Sequence, residues 1–367
     1  MYKTLTRGLS HTLGAPLYLI LFVNDKCWMY CHHCWFSEDW KEQNLTRPPL
    51  SFEEFERLAN SIPRLAFLSM TGGEAFMRED IVELATMFVR KANVARYQIP
   101  TSGWLPEKIR DNAERMLKKL PHVPFRVDVS LDGTEDIHDE VRNRTGSFSH
   151  AVETVRQLRQ LKGRYDHFDV GVITTVSRNN QHEVEEIGKV VEEINPDGEW
   201  MVNITRGTPR DPLATQVDPQ AYHRAHSIIE ARMKAGRYTG HSGHLSAPWL
   251  SAKNATRRKV IQGLLDGKPG QGGCAAGALG GVIYSDGSTF PCEMLEQSLG
   301  NIRDFDCDLT QLWRSPKADE VRDWIQDTRC TCTQECFLSV SLLIQPRHWP
   351  DMAMERIKLL RGAAGGV

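Results

Sequence analysis

Cys27, Cys31 and Cys34 fall within the eight residues CWMYCHHC, and no further cysteine follows until Cys274. Three thiolates spaced by three residues and then two can hold a cubane iron–sulfur cluster with one iron left open. A structural zinc ion would want a fourth ligand, which His32 or His33 would have to supply. Cys274 and Cys292 flank a turn signal, Asp286-Gly287, and CTCTQEC adds Cys330, Cys332 and Cys336. A hairpin there would bring Cys274 and Cys292 towards each other. Cys307 stands alone and reads as a free, buried thiol. Nine cysteines is an odd number, gathered at two ends of the chain. In a reducing compartment that pattern points to metal ligation rather than to a disulfide framework, so the expected location is cytoplasmic.

The segment SMTGGEAF places Gly72, Gly73 and Glu74 after an apolar run. The glycines allow a ligand close to the backbone, and the carboxylate suits an ammonium group.

Such residues need a frame. Apolar, β-rich runs occur at 17–23, 65–70, 96–100, 125–131, 168–176 and 200–205, with amphipathic helical patterns between them. Ser51 and Glu54 form a capping-box signature ahead of one helix. This alternation predicts an α/β fold with a parallel sheet, a partial (β/α)6 barrel, whose chemistry sits at the C-terminal ends of the strands. Residues 207–272 read as a helical connector with a glycine-rich end, and 361–367 as a disordered tail.

The 367 residues carry 45 basic and 47 acidic side chains, a net charge of −2. That balance argues against nucleic-acid binding by bulk charge. No run approaches the roughly 20 apolar residues of a transmembrane helix. A signal peptide at Leu17–Val23 is discounted, because Pro16 opens the run and no small-residue cleavage site follows it.

With these segments in this order, the chain resembles the radical S-adenosylmethionine (radical SAM) superfamily over residues 15–340. The resemblance implies that Cys27, Cys31 and Cys34 bind a [4Fe-4S] cluster whose free iron is chelated by SAM. It implies that Gly72, Gly73 and Glu74 bind the methionine ammonium, and that His33 takes the place of an aromatic side chain near the adenine. VSLDGTEDIHDEVRNRTGSF is similar to the family's fourth-strand exit, which points to Ser130 and Arg142 as SAM contacts, with Arg144 as the alternative. IPTSGWL resembles a family segment written Thr-Asn-Gly, with Ser102 in place of the asparagine. The C-terminal cysteines resemble SPASM/twitch extensions, implying one auxiliary [4Fe-4S] cluster. Five cysteines are one more than a cluster needs. Cys274, Cys292 and Cys336 with either Cys330 or Cys332 are the expected set.

The implied organisation is an N-terminal segment (1–14), a radical SAM core (15–206), a helical connector (207–272), an auxiliary cluster domain (273–340) and a C-terminal tail (341–367). The implied function is reductive cleavage of SAM and hydrogen abstraction from a peptide, protein side chain or small molecule. The electron would come from a low-potential donor, a flavodoxin or ferredoxin. The alternative is a non-catalytic zinc- or cluster-binding module that tethers a partner. Arg206 at the sixth strand end either faces the site or turns the chain. Trp35 and Trp40 either cover the cluster or pack in the core.

Overall fold

The computed structural model describes residues 2–235, 247–270 and 272–364. The six apolar runs form β1 (Tyr18–Phe22), β2 (Phe67–Thr71), β3 (Tyr97–Thr101), β4 (Phe125–Ser130), β5 (Phe168–Val176) and β6 (Glu199–Ile204). They pair in parallel and in chain order. Helices cross back between them. The one at Phe52–Ser61 starts with the expected capping box, Ser51 Oγ accepting from Glu54 N while Ser51 N donates to Glu54. Strands covered by helices bury Leu19, Leu21, Leu68, Met70, Ile99, Val127, Val129, Val170 and Val172 completely. This is why each reads as an apolar-rich run, and each such side chain contributes about 1.5–3 kcal/mol to folding.

The sheet stays open, and it continues past β1. β7 (Gly280–Ile283) pairs parallel to β1, and β8 (Ser288–Phe290) and β9 (Gly300–Asn301) follow antiparallel. The nine strands therefore run 6-5-4-3-2-1-7-8-9 in one sheet. The cysteine-flanked hairpin thus extends the same sheet. It is locked to the cysteine loop by Phe22, Trp35, Phe36, Trp40 and Tyr284, whose ring centroids lie 4.6–6.4 Å apart. Trp35 and Trp40 are accordingly packing residues.

The face of the sheet opposite the valines of β4 is polar. Arg126 donates to Asp128 at 2.5 Å and pairs with Glu199 of β6. Gly171 of β5 makes room for that pair, since a Cβ there would stand 2.1 Å from Asp128 Oδ1. Asn254, from the helix Ala247–Leu265, donates to Glu199 at 3.4 Å.

The N-terminal segment is the helix Tyr2–Leu13, tied to the helix Pro316–Asp327 through Lys3–Asp327, Arg7–Asp319 and His11–Asp319. The helix Trp349–Ala364 runs on into the tail expected to be disordered, taking in 361–364, and 365–367 lie outside the described residues. No described helix is long and apolar enough to cross a membrane.

Candidate iron–sulfur and SAM site

The cysteine loop leaves β1 at its C-terminal end and is held by backbone bonds from three neighbours. From the β2 exit, Gly73 N donates to Asn24 O at 3.3 Å and Glu74 N to Lys26 O at 2.8 Å. From the helix Glu135–Arg142, carbonyls accept from the loop: Tyr30 N donates to Arg142 O at 3.3 Å and His32 N to Val141 O at 3.0 Å. From the β6 exit, Arg210 N donates to Cys34 O at 3.0 Å and Asp211 N to His32 O at 2.8 Å.

The Gly-Gly pair is explained by this packing. A Cβ on Gly72 would lie 2.4 Å from Asn24 O, and one on Gly73 would lie 2.2 Å from Lys26 O. Gly72 also has φ +152°, which side chains rarely adopt. The close approach that requires glycine is therefore made by the cysteine loop's own backbone.

Glu74 is 2 % exposed and its carboxylate is clasped by the β3 exit. Thr101 Oγ1 donates to both oxygens at 2.9 and 3.0 Å. Ser102 donates to Oε2 through its amide at 2.8 Å and its hydroxyl at 2.7 Å. Burial pushes the Glu74 carboxyl up, and the Ser102 and Thr101 donors oppose that. Ser102 thus meets Glu74 directly.

Arg142 is buried and faces the loop. Its Nη1 donates to Cys31 Sγ at 3.6 Å, and its Nη2 pairs with Asp132. Burial pushes the Cys31 thiol up to about 11, and Arg142 is the largest influence pulling the other way. His33 Nε2 stands 4.0 Å from Asp132, and burial holds the imidazole neutral, down to about 4. His138, also held near 4 by burial, accepts from Asp132 N at 3.0 Å. Ser130 ends β4, half-buried. Arg144 is turned elsewhere: it donates to Trp28 O at 2.9 Å and lies 3.9 Å over the Trp104 ring.

In the second cysteine group, Cys274, Cys292, Cys330 and Cys332 gather from distant segments. Burial pushes Cys274 up to about 12, and Cys330 and Cys332 add to the shift. Burial raises Cys292 too, followed by Cys274, with a smaller contribution from Cys332. Cys336 is the second residue of the helix Glu335–Leu343, and burial and the neighbouring Glu293 push its thiol up to about 11. Arg206 donates to Thr333 O at 2.7 Å, joining the β6 exit to this loop. Cys307 is 1 % exposed, apart from the others, in the core.

Sequence reasoning passes over several residues of this region. Arg210 donates to Cys31 O at 2.7 Å and stacks 3.6 Å over Tyr30. Asp132 and His138 order the β4 exit. Glu293, next to Cys292, is pushed up to about 7 by burial against the pull of Arg206. Asp132 and His138 fall inside VSLDGTEDIHDEVRNRTGSF, where the resemblance points only to Ser130 and Arg142. Arg210 and Glu293 lie in none of the quoted motifs, although a buried acid beside a candidate ligand is a signal once the fold is known.

The donor chemistry fits thiolate-ligated clusters. Cys27 feels both Cys31 and Cys34, and Arg142 Nε and His33 Nδ1 are buried without a partner. Among the described residues, no three His, Cys, Asp or Glu side chains converge on a point that could hold a single metal ion.

A model of the radical SAM superfamily matches residues 21–191, and a model of the SPASM iron–sulfur cluster-binding domain matches 274–337. The sporulation killing factor maturation protein SkfB of Bacillus subtilis is 22% identical over 78% of this chain and 62% of its own length. The subtilosin biosynthesis protein AlbA of the same organism is 24% identical over 56% of this chain and 44% of its own. The chain thus spans about half to three-fifths of these two curated relatives. An AdoMet-dependent heme synthase of Nitratidesulfovibrio vulgaris is 27% identical over 82% of this chain and 79% of its own. Among solved structures, Streptococcus suis SuiB bound to S-adenosylmethionine superposes with a TM-score of 0.59 at 15% identity, over 85% of this chain and 69% of that one. The anSMEcpe structure with bound AdoMet gives 0.58 at 15% identity, over 96% of both. These likenesses establish the fold, and the matched domains carry [4Fe-4S] clusters and SAM as their cofactors. The two matched stretches together cover more than half of the sequence, and the chain belongs to the radical SAM superfamily with a SPASM domain at its C-terminal end.

Proposed function

We propose that this chain cleaves SAM reductively and uses the product to take hydrogen from a substrate carbon. One electron from a low-potential donor, a flavodoxin or ferredoxin, would break the sulfonium C–S bond to give methionine and a 5′-deoxyadenosyl radical; the clusters and SAM supply that chemistry. The observation that carries the reading is the junction of β1 and β2. There the backbone of the Gly-Gly-Glu segment grips the three-cysteine loop at Asn24 and Lys26, and Arg142 reaches Cys31 from the helix Glu135–Arg142.

In this reading Cys27, Cys31 and Cys34 hold the first cluster. Gly72, Gly73 and Glu74 receive the methionine ammonium, with Thr101 and Ser102 fixing the carboxylate's plane. Ser130 and Arg142 lie at the β4 exit, and His33 stands near the adenine. An auxiliary cluster draws its ligands from Cys274, Cys292, Cys330, Cys332 and Cys336. The substrate class is a peptide or protein side chain, or a small molecule. The relatives include maturation proteins and heme synthases, so both classes are represented among similar chains.

The test is anaerobic incubation of the reconstituted protein with SAM and dithionite. Release of 5′-deoxyadenosine is expected. A protein with full iron content that releases none would overturn the proposal. Zinc in place of iron after anaerobic purification would favour the tethering module instead.

A further inference from the structure

We propose that Arg142 sets the reduction potential of the cluster held by Cys27, Cys31 and Cys34, acting through the sulfur of Cys31, with Asp132 as the counter-charge that moderates it. The inference rests on the reading of those three cysteines as cluster ligands.

The contact is built into the fold. Two backbone bonds flank Cys31, from Tyr30 N to Arg142 O at 3.3 Å and from His32 N to Val141 O at 3.0 Å. They fasten the end of the helix Glu135–Arg142 to the loop on either side of the cysteine. Arg144 adds a third fastening through Trp28 O at 2.9 Å. Arg142 Nη1 is thereby kept 3.6 Å from Cys31 Sγ.

Asp132 is equally constrained. Its Oδ1 accepts from Thr175 N at 2.7 Å, and its own amide donates to His138 Nδ1. The side chains of Arg142 and Asp132 are 10% and 0% exposed, so water screens neither charge.

Reduction adds one negative charge to a thiolate-bound cluster. A fixed cation that hydrogen-bonds a ligand sulfur stabilises the reduced form and raises the potential. A buried carboxylate on the far side of that cation opposes it. Arg142 is therefore a positioning and tuning residue, and the two members of the pair act with opposite sign.

The experiment is an EPR-monitored redox titration of the holoprotein without SAM. The first cluster is identified as the one whose signal changes when SAM is then added. Arg142→Gln is expected to lower the reduced-to-oxidised ratio at a given potential about tenfold, which is about 59 mV for a one-electron couple. Arg142→Lys, which keeps the charge, should recover most of the shift. Asp132→Asn should move the potential upwards. An unchanged potential in Arg142→Gln at full iron content would overturn the proposal. So would a downward shift in both Arg142→Gln and Asp132→Asn, which would indicate general loosening. Loss of the cluster from both Arg142 variants would assign the residue to cluster assembly and overturn the tuning role. Iron content unaffected by Cys31→Ala would overturn the underlying reading of the cysteines instead.

Discussion

The two cysteine regions are built on opposite principles. The first takes all three thiols from one loop of eight residues, and the rest of the fold grips that loop through its backbone. The second takes its thiols from the flanks of the β7–β8 hairpin and from a segment some 40 residues later. Its fastenings are largely side chains: Gln326 donates to Cys274 O at 2.8 Å, Gln334 pairs with Glu293, and Arg257 pairs with Glu335 at 3.0 Å. A site made of one loop is defined before the chain folds. A site assembled from distant segments exists only once the hairpin has joined β1 and the helix Glu335–Leu343 has docked. The first site should therefore survive damage to the second.

The sharpest way to break that comparison is at Cys31. Cys31→Ala should abolish SAM cleavage while leaving the C-terminal cluster, so that iron analysis shows about four irons lost, the content of one cubane. Retained 5′-deoxyadenosine formation would remove the loop from the chemistry. The reciprocal variant, Cys274→Ala/Cys292→Ala, should lose the second cluster and keep the first. With dithionite it should still cleave SAM, although turnover of the true substrate should fail. Unchanged iron content would show that neither cysteine is a ligand.

The same contrast explains what could be read in the sequence. Apolar, β-rich runs locate β1 to β6 within one or two residues: β1 is apolar throughout, and β4 alternates buried apolar residues with Arg126 and Asp128. The three-cysteine loop is legible because its ligands are local. The helix Ala247–Leu265 falls within the expected helical connector, but what it docks against is not legible. Arg257 finds its partner, Glu335, only in the folded chain. The clasp of Thr101 and Ser102 on Glu74 is equally hidden. It depends on β2 and β3 lying side by side, which brings together residues 27 and 28 positions apart. Asp286-Gly287 announces the hairpin, but nothing local announces that β7 will pair with β1.

Glu74 gives a smaller effect within the first region. If its carboxylate receives the SAM ammonium, Glu74→Ala should weaken SAM binding by about 1.5–3 kcal/mol, the scale of a charged hydrogen bond. Ser102→Ala should weaken it less, because the Ser102 amide and Thr101 still orient the carboxylate. Calorimetric titration of the reconstituted variants separates the two. Equal affinity in wild type and Glu74→Ala would leave Glu74 as a tie between the β2 and β3 exits only.

The smallest expected effect lies on the seam between the two regions. Arg303, just after β9, grips Glu54 in a two-pronged contact, Nε to Oε1 at 2.5 Å and Nη2 to Oε2 at 2.7 Å. Glu54 is also the third residue of the helix capped by Ser51, so one carboxylate serves both the cap and the seam. The Arg303 guanidinium, as the largest influence, holds Glu54 down to about 2 from its ordinary 4.5. A carboxyl whose pKa is lowered in the folded state contributes stability above its unfolded pKa and loses it as pH falls through the folded one. The contribution should therefore be complete above about pH 5 and gone near pH 2. Both groups sit partly at the surface, so solvent screening limits the effect to about 1 kcal/mol. Glu54→Gln should lower stability by that amount in denaturant titrations at neutral pH, and the difference from wild type should shrink as the pH approaches 3. A constant difference across that range would mean that the loss comes from the helix cap and not from the charge pair. Iron content of the second cluster should stay unchanged in this variant, because no thiol depends on Glu54 for its position.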